Sequence, residues 1–226
     1  MKPLILFGCG KIAEVVLYFL RDHSERRVVA CCADRPFLPE EPWNGLPTVA
    51  FDEVEARYPP QTHDMFVALG YQSMNALRQM RCEQARQLGY QLASYVHPQS
   101  GLPNDCAYGD NCFFMNQVLV HPRVVIGSNV FVWSGAMIGH HSRIGNNCWL
   151  TSGASIAGGV EVGDNVFFAI GSTVCNSLSI GRNCFIGANA LVSRNTQEGE
   201  VLLAESSKPI RLNSQQFLRM SRFNDL

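Results

Sequence analysis

The stretch Ile126–Leu150, "IGSNVFVWSGAMIGHHSRIGNNCWL", carries an aliphatic residue at every sixth position. An α-helix repeats its apolar face with a period of about 3.6 residues, and a half-buried strand with a period of about 2. A strict period of six residues fits neither pattern. It predicts a solenoid, in which each hexapeptide forms one short side of a triangular coil.

The same frame extends far beyond this stretch in both directions. From Val96 to Val192 every sixth residue is aliphatic or aromatic, and the frame is unbroken over residues 96–197, which make 17 hexapeptides. Three hexapeptides complete one coil, so coils should stack with a strand spacing of about 4.8 Å. The residue four positions after each large one is mostly small, and in four hexapeptides it is a cysteine, namely Cys106, Cys112, Cys148 and Cys184.

An aromatic residue recurs once in each of five successive coils. These residues follow one another every 18 positions, at Phe113, Phe131, Trp149, Phe167 and Phe185. Each one precedes an inward-facing residue, so the stacked coils should align them in a ladder on one outer face. Exposed apolar patches of this length are unusual on monomers. We expect a subunit interface there, and cover by the chain's own C-terminal helix is the alternative.

Composition and charge exclude several classes of function. Of the 226 residues, 46% are hydrophobic and 16% are charged, and the formal net charge is -1. These values favour a packed core over disorder and give no electrostatic support for nucleic-acid binding. The first apolar run breaks at Gly8–Gly10, too early for a signal peptide or a membrane span. We expect a cytoplasmic protein without a membrane or nucleic-acid partner.

The cysteines follow none of the spacings that indicate a bridge or a metal site. There are nine of them, an odd number, and no Cys-x-x-Cys pair occurs. This pattern argues against a disulfide framework and against zinc. We expect reduced, mostly buried thiols and no metal.

Residues 1–94 show a different pattern, in which strands and helices alternate. The short apolar runs "LILF", "VVACCA" and "MFVALG" are typical of buried strands. The segment "KIAEVVLYFLRDH" is typical of an amphipathic helix, and a second helix is predicted from Ser73 to about Leu88, with Gly89 as its stop. The alternation favours an α/β region with a parallel sheet.

A glycine-rich turn joins the first predicted strand to the first predicted helix. Its spacing, Gly8-x-Gly10-x-x-Ala13 with Asp34 after the second strand, is similar to a dinucleotide fingerprint. Three strands make only half of a dinucleotide domain, so we expect one mononucleotide, with its phosphates at the turn and the helix N-terminus. NAD binding and purely structural glycines remain alternatives.

His140 and His141 occupy the third and fourth positions of the hexapeptide that begins at Ile138. We expect them at the corner between the polar face and the aromatic face of the solenoid. One coil further, 18 residues on, the same positions are Gly158 and Gly159, which leave open space and an accessible backbone N–H. A histidine base beside a backbone donor is a minimal acyl-transfer site. The alternatives are two exposed turn histidines and a histidine metal site, which the spacing disfavours.

With these motifs in place, the chain resembles a known family. The hexapeptides resemble those of the left-handed β-helix acyltransferases. The whole arrangement is similar to the bacterial nucleotide-sugar acetyltransferases of the bacillosamine-pathway and sialic-acid O-acetyltransferase kind. The resemblance covers about residues 2–205 and rests on "FGCGK", Asp34, "FVALGYQS", "SYVHP" and "IGHHSRIG".

The resemblance implies an architecture and an assembly. Residues 1–94 would form an α/β mononucleotide-binding (half-Rossmann) domain and residues 95–199 a left-handed parallel β-helix. Residues 200–226 depart from the family, and their segment "NSQQFLRMSRF" is expected to form a helix packed on the solenoid. The resemblance further implies a homotrimer with active sites between subunits, acetyl-CoA as co-substrate, a nucleotide-linked sugar as acceptor, and a role in polysaccharide or O-antigen biosynthesis.

The resemblance also implies roles for particular residues. His140 would be the catalytic base, with His141 beside it, and the Gly158 amide would bind the oxyanion. The nucleotide-sugar would contact Gly8, Cys9, Gly10, Lys11, Asp34 and Gly70. Acetyl-CoA would contact Trp149, Gly158, Ile170, Ala188 and Lys208.

One departure from the family bears on the chemistry. The residue after the catalytic histidine is usually acidic, and here it is His141. An amine nucleophile that binds as the free base needs a weaker general base than a hydroxyl nucleophile does. We therefore expect N-acetylation by direct transfer in a ternary complex. The column of His140 contains no cysteine, which argues against an acyl-enzyme. Sugar O-acetylation and a non-enzymatic nucleotide-binding scaffold are the alternatives.

Overall fold

The computed structural model describes residues 1–39 and 42–221 of the chain. The N-terminal elements are β1 (Leu4–Phe7), α1 (Lys11–His23), β2 (Val28–Ala33), β3 (Thr48–Ala50), α2 (Val54–Arg57), β4 (Asp64–Val67) and α3 (Ala76–Gln87). The four strands form a parallel sheet in the order β3-β2-β1-β4. The predicted parallel α/β region is thus confirmed, with one strand more than expected.

The start of α3 differs from the prediction. Ser73, Met74 and Asn75 all have positive φ values, of 52°, 52° and 67°, so they form a left-handed turn and the helix begins after them. Left-handed backbone is unfavourable for residues with a side chain, and such runs occur where the surroundings enforce them. The helix ends before Gly89, which has a φ of 91°, as predicted.

The remaining strands are two residues long and stack into the solenoid that the six-residue frame predicts, a left-handed β-helix as the resemblance implies. In chain order they are β5 (Tyr95–Val96), β6 (Ala107–Tyr108), β7 (Phe113–Phe114), β8 (Leu119–Val120), β9 (Val125–Ile126), β10 (Phe131–Val132), β11 (Met137–Ile138), β12 (Arg143–Ile144), β13 (Trp149–Leu150), β14 (Ser155–Ile156), β15 (Glu161–Val162), β16 (Phe167–Phe168), β17 (Thr173–Val174), β18 (Ser179–Ile180), β19 (Phe185–Ile186), β20 (Leu191–Val192) and β21 (Val201–Leu202). All pairs are parallel, and each strand pairs with the strand one coil away, as Phe131 does with Trp149.

The strands form the three faces of the triangular coil. The aromatic face contains β5, β7, β10, β13, β16, β19 and β21; the mixed face contains β8, β11, β14, β17 and β20; the polar face contains β6, β9, β12, β15 and β18. The fourth residue of many hexapeptides turns the corner with a left-handed backbone, as in Asn129 and Asn147, whose φ values are both 60°. Asparagine tolerates this conformation better than most residues, which explains its recurrence.

The aromatic ladder is not a free surface, and the expectation of a subunit interface there was wrong. Phe113, Phe131 and Trp149 are at most 1% exposed within the single chain. The N-terminal region covers them: Phe66 of β4 contacts the first two edge to face, and the guanidinium of Arg78 lies over the other end. The chain therefore buries the first four residues of the ladder itself, with Tyr71 against Phe167, and the cover is not the C-terminal helix either.

Arg78 of α3 is the centre of this contact. Its side chain is 0% exposed, and its Cζ lies 4.7 Å from the centroid of the Phe131 ring. The guanidinium donates five hydrogen bonds, to Asn75 Oδ1, Gly70 O, Asn129 Oδ1, Asn129 O and Asn147 O. Burial lowers the pKa of Arg78 to about 10. All five N–H groups of the side chain are thus used, and none of the acceptors is charged.

The C-terminal tail also differs from the prediction. Helix α4 (Ser214–Met220) forms, with an Asn213 capping box, but none of its residues is buried. Its apolar side chains, including Phe217 and Met220, are exposed. The expectation that the tail packs on the solenoid of its own chain was wrong, and the predicted helical segment past Ser221 lies outside the described residues.

The protonation of His97, which directly follows β5, makes the free energy of unfolding depend on pH. The ring is buried, its Nδ1 accepts a hydrogen bond from the Gln99 N–H, and the ring of His23 lies 4.5 Å away between centroids. Burial, and then the proximity of His23, lower the pKa of His97. The unfolded chain therefore binds a proton more readily, so this contribution to stability is present above the ordinary pKa of about 6.5 and is lost as the pH falls below it.

We expect the free energy of unfolding to decrease between about pH 7.5 and pH 5.5. Part of this decrease should disappear in His97→Asn, because the variant has no imidazole to protonate. Urea unfolding of both proteins at the two pH values measures the difference. An identical pH dependence in the two proteins would contradict the assignment.

Candidate active site

The two histidines lie at the corner between β11 on the mixed face and β12 on the polar face. They do not lie at the edge of the aromatic face, so that expectation was wrong. The reason is the order of the sides, since the aromatic strand β13 comes one hexapeptide later. The exposed neighbouring surface is the mixed face, where Leu119 and Leu191 are 47% and 63% exposed.

His140 and His141 contact each other through their rings. The two Nδ1 atoms are 3.1 Å apart, and the rings meet edge to face at 86°. His141 has a φ of 61°, the left-handed conformation of its corner position, which turns its side chain toward that of His140. Both side chains are exposed to solvent. One ring must donate to the other, so each fixes the tautomer of its partner.

Gly158 lies directly beside the His140 ring, as the 18-residue column predicts. A β-carbon built on Gly158 would lie 2.6 Å from Cε1 and 2.7 Å from Nε2 of that ring. The Gly158 N–H donates no hydrogen bond to any described residue, whereas the next amide, that of Gly159, donates to His140 O. The absence of a side chain at Gly158 is therefore what gives the imidazole its place.

We expect Gly158→Ala to reduce kcat by about 10²-fold, because the methyl group would displace the ring by roughly an ångström. The φ of Gly158 is not positive, so the backbone accepts alanine and the thermal midpoint should change little. Steady-state kinetics and thermal unfolding of the variant measure both quantities. A variant with normal kcat would show that the seating of His140 has no role in catalysis.

A second candidate site is a cavity of about 380 Å³ at the glycine-rich turn of the N-terminal sheet. Its walls include four residues that the sequence predicts for the nucleotide, namely Gly8, Cys9, Gly10 and Asp34. Gly8 has a φ of 122°, and a β-carbon there would lie 2.8 Å from Ala68 O, so only glycine fits this turn. Lys11 is exposed at the start of α1, and Gly70 is buried, with its carbonyl bonded to Arg78.

Arg81 of α3 lines the same cavity, and sequence reasoning missed it. Its Nη2 donates to Asp34 Oδ2 at 2.5 Å, and its Nε has no partner among the described residues. The guanidinium also lies 5.7 Å from the centroid of the Phe7 ring. An acid and a base thus face each other at the wall of a mostly apolar cavity. The side chains of Asp34 and Arg81 come together only because α3 packs over the sheet, and no motif in the sequence indicates this contact.

Apart from Gly158, which lies beside the His140 ring, the residues predicted for acetyl-CoA fall into two groups. Trp149 is 1% exposed and is stacked on Phe131 with Tyr71 over its edge, so it offers no surface to a ligand and this prediction was wrong. Ile170, Ala188 and Lys208 are exposed. Ile170 and Ala188 lie one coil apart at the corner between the aromatic and mixed faces, across the mixed face from His140.

Neither a metal cluster nor a membrane helix is found in the described part of the chain. Over residues 1–39 and 42–221 no group of three or more His, Cys, Asp and Glu side chains is arranged to hold a metal ion. No helix in those ranges has the length and hydrophobicity needed to cross a bilayer. His97 is buried and distant in the chain from the exposed pair His140–His141.

Comparison with known families and structures agrees with this fold. Residues 109–140 match the family model described as bacterial transferase hexapeptide (six repeats). The structure of PerB from Caulobacter crescentus in complex with CoA and GDP-perosamine is 27% identical, covers 92% of this chain and 97% of its own, and superposes with a TM-score of 0.80. The chain has the fold of the hexapeptide-repeat acetyltransferases.

Structures with lower sequence identity share this fold over a similar length. The acetyltransferase domain of PglB from Neisseria gonorrhoeae is 21% identical, with 93% of this chain and 100% of that chain covered and a TM-score of 0.81. WeeI from Acinetobacter baumannii is 15% identical, with 93% and 100% covered and a TM-score of 0.63. A search of curated protein sequences finds no match to this chain.

Proposed function

We propose that the protein is an acetyl-CoA-dependent N-acetyltransferase that acts on the amino group of a nucleotide-linked amino sugar. The proposal rests on the position of the His140 ring, which contacts the ring of His141 and lies beside Gly158. Acyl transfer to an amine needs a base for the nucleophile and a donor for the oxyanion. His140 is an exposed base, and the adjacent Gly158 N–H has no acceptor among the described residues, so it can donate to a ligand.

His141 takes over the orienting role that an acidic residue has in the family. With the hydrogen of His140 on Nδ1, that N–H donates to Nδ1 of His141, and His140 Nε2 is left free to accept a proton. A neutral imidazole stabilises a charged His140 less than a carboxylate does. This suits an amine nucleophile, which loses its proton after attack and needs no strong base beforehand.

The reaction is a direct transfer. The amine nitrogen attacks the thioester carbonyl, the Gly158 N–H stabilises the oxyanion, and His140 Nε2 takes the proton that the nitrogen loses. The thiolate of CoA then leaves and is protonated. No cysteine occurs at the positions of the His140 column, so no covalent intermediate on this chain is needed.

The cavity at Gly8–Gly10 is the proposed nucleotide site. A glycine turn at the N-terminus of α1 presents backbone N–H groups and the positive end of a helix dipole to phosphates. Asp34 and Arg81 supply a hydrogen-bond acceptor and a donor within the same cavity. PerB, which was solved with CoA and GDP-perosamine, supports a nucleotide-linked sugar as the ligand class.

The acetyl-CoA site is proposed to lie between subunits of a homotrimer. His140 and the pair Ile170–Ala188 lie at opposite edges of the mixed face, so one chain does not bring them together. A threefold arrangement in which mixed faces meet brings the histidine of one subunit toward the corner of the next. Exposed Leu119 and Leu191 on that face supply apolar surface for the contact.

This assignment divides the chain as follows. Residues 1–94 bind the nucleotide, residues 95–199 carry the histidine and the CoA corner, and residues 200–226 form a tail in which Lys208 meets a CoA phosphate. We place the enzyme in the cytoplasm, where acetyl-CoA and nucleotide sugars occur, in the synthesis of polysaccharide building blocks.

The proposal is tested by thiol release from acetyl-CoA with a panel of nucleotide sugars. The panel holds matched amino and hydroxyl sugars on UDP, dTDP and GDP. Turnover with amino sugars on one nucleotide is expected and identifies that nucleotide. Turnover with the hydroxyl sugars alone would make the enzyme an O-acetyltransferase, and binding of nucleotide without any transfer would leave a nucleotide-binding scaffold.

A further inference from the structure

Two thiols from neighbouring strands meet beside the glycine-rich turn. Cys9 lies in the turn after β1 and Cys31 lies within β2, and their Sγ atoms are 2.8 Å apart. A disulfide bond is about 2.05 Å long, so less than an ångström separates the pair from bonding distance. Cys31 Sγ is also 2.9 Å from Gly8 O, which places both sulfur atoms against the turn.

Access to the two thiols is unequal. Cys9 is partly exposed and lines the nucleotide cavity, whereas Cys31 is buried beneath it. The Cys31 hydrogen bond lowers the pKa of Cys9, although burial opposes this effect. In contrast, burial raises the pKa of Cys112 and of Cys148 to about 12, so these solenoid thiols stay protonated. Cys9 is therefore the thiol that a reagent in the cavity would meet first.

We propose that Cys9 and Cys31 are an oxidisable pair that closes to a disulfide when hydrogen peroxide enters the nucleotide cavity. The thiolate of Cys9 attacks one peroxide oxygen, the O–O bond breaks, and a sulfenic acid and hydroxide form. The sulfur of Cys31 then attacks the Cys9 sulfur, the S–O bond breaks, and the second oxygen leaves as water. Two thiols and one peroxide thus yield one disulfide and two waters.

The disulfide has a consequence for the cavity, and this part rests on the proposed function. The backbone of the turn is tightly packed at Gly8, because a β-carbon there would lie 2.8 Å from Ala68 O. Drawing Cys9 toward Cys31 therefore moves the backbone N–H groups that face the phosphates. We expect the dissociation constant of the nucleotide sugar to rise by at least about tenfold on oxidation and to recover on reduction with dithiothreitol.

The test oxidises the full-length protein with hydrogen peroxide and maps its tryptic peptides. Lys11, Arg21, Arg26 and Arg27 lie between the two cysteines, so Cys9 and Cys31 fall in different peptides and a cross-link joins them. Fragmentation of the joined peptide distinguishes Cys31 from Cys32. The matched variants are Cys31→Ala, which should not cross-link, and Cys175→Ala, which removes a partly exposed solenoid thiol and should behave as wild type.

The outcomes separate the two proposals. A cross-link between Cys9 and Cys31 in the wild type and in Cys175→Ala supports the proposal of an oxidisable pair. Absence of this cross-link from the wild type overturns the proposal, and this result does not depend on whether Cys31→Ala folds. A cross-link without loss of nucleotide-sugar affinity overturns the effect on the cavity. If the reduced protein binds no nucleotide sugar, the proposed function fails, while the peptide map still decides the pair.

Discussion

Replacement of His140 by asparagine is expected to lower kcat for acetyl transfer by about 10²–10⁴-fold, the usual contribution of a positioned general base. Asparagine keeps a polar side chain of similar reach beside Gly158, so the packing of the corner is preserved. It accepts no proton at neutral pH, so the amine must lose its proton to water. KM for acetyl-CoA should change little, because the ring is not needed to hold the thioester. Steady-state thiol release measures both constants.

The matched control for this variant is His63→Asn. His63 lies in the N-terminal region, where its Nδ1 pairs with Thr62 Oγ1, and it contacts neither candidate site. Its kcat should equal that of wild type. Near-normal turnover of His140→Asn in a well-folded protein would remove the histidine from the mechanism.

Replacement of Arg78 by methionine is expected to lower the free energy of unfolding by about 4 kcal/mol or more, because a fully buried guanidinium gives up all of its hydrogen bonds to neutral acceptors. The variant leaves four buried oxygen acceptors on Gly70, Asn75, Asn129 and Asn147 without their donor, while Asn129 Oδ1 keeps its bond from Asn111 Nδ2. Each unsatisfied buried polar group costs about 1–3 kcal/mol. The cation–π contacts with Phe131 and Trp149 are lost as well. Urea unfolding measures the change.

Arg86→Met is the matched control on the same helix. Arg86 also reaches the solenoid, through an ion pair with Asp110 at 2.7 Å, but both side chains are about one-third exposed. Exposed ion pairs contribute about 0–1 kcal/mol, so this variant should lose no more than that. Equal losses in the two variants would contradict the view that Arg78 holds the N-terminal region on the aromatic face.

The solenoid could be read from the sequence because each hexapeptide repeats the same local rule. The rule places a large inward residue, a small inward residue and a left-handed corner in each hexapeptide, and it depends on no contact between distant parts of the chain. Ile138, which is buried, and Asn147, which has a left-handed backbone, follow this rule. The column from His140 to Gly158 follows from the same geometry, since a residue always lies beside the one a coil away. The position of the His140 ring in the space that a β-carbon on Gly158 would fill was thus predictable in kind.

The sequence did not predict which surfaces of the folded chain contact one another. It identified the aromatic ladder as apolar, but not that Phe66 and Arg78 would cover it, because that contact joins residues far apart in the chain. The same gap explains the error on Trp149 and the omission of Arg81, which becomes part of the cavity only when α3 packs on the sheet. Strand β3 escaped prediction because three residues are too few to show a period.

The most direct test of N-acetyl transfer is the chemical nature of the product. Wild-type protein is supplied with acetyl-CoA and a matched pair of nucleotide sugars that differ only in an amino or a hydroxyl group at one carbon. An amide that resists neutral hydroxylamine, formed from the amino sugar alone, is the expected result. An ester that hydroxylamine cleaves, formed from the hydroxyl sugar while the amino sugar stays unmodified, would contradict the assignment.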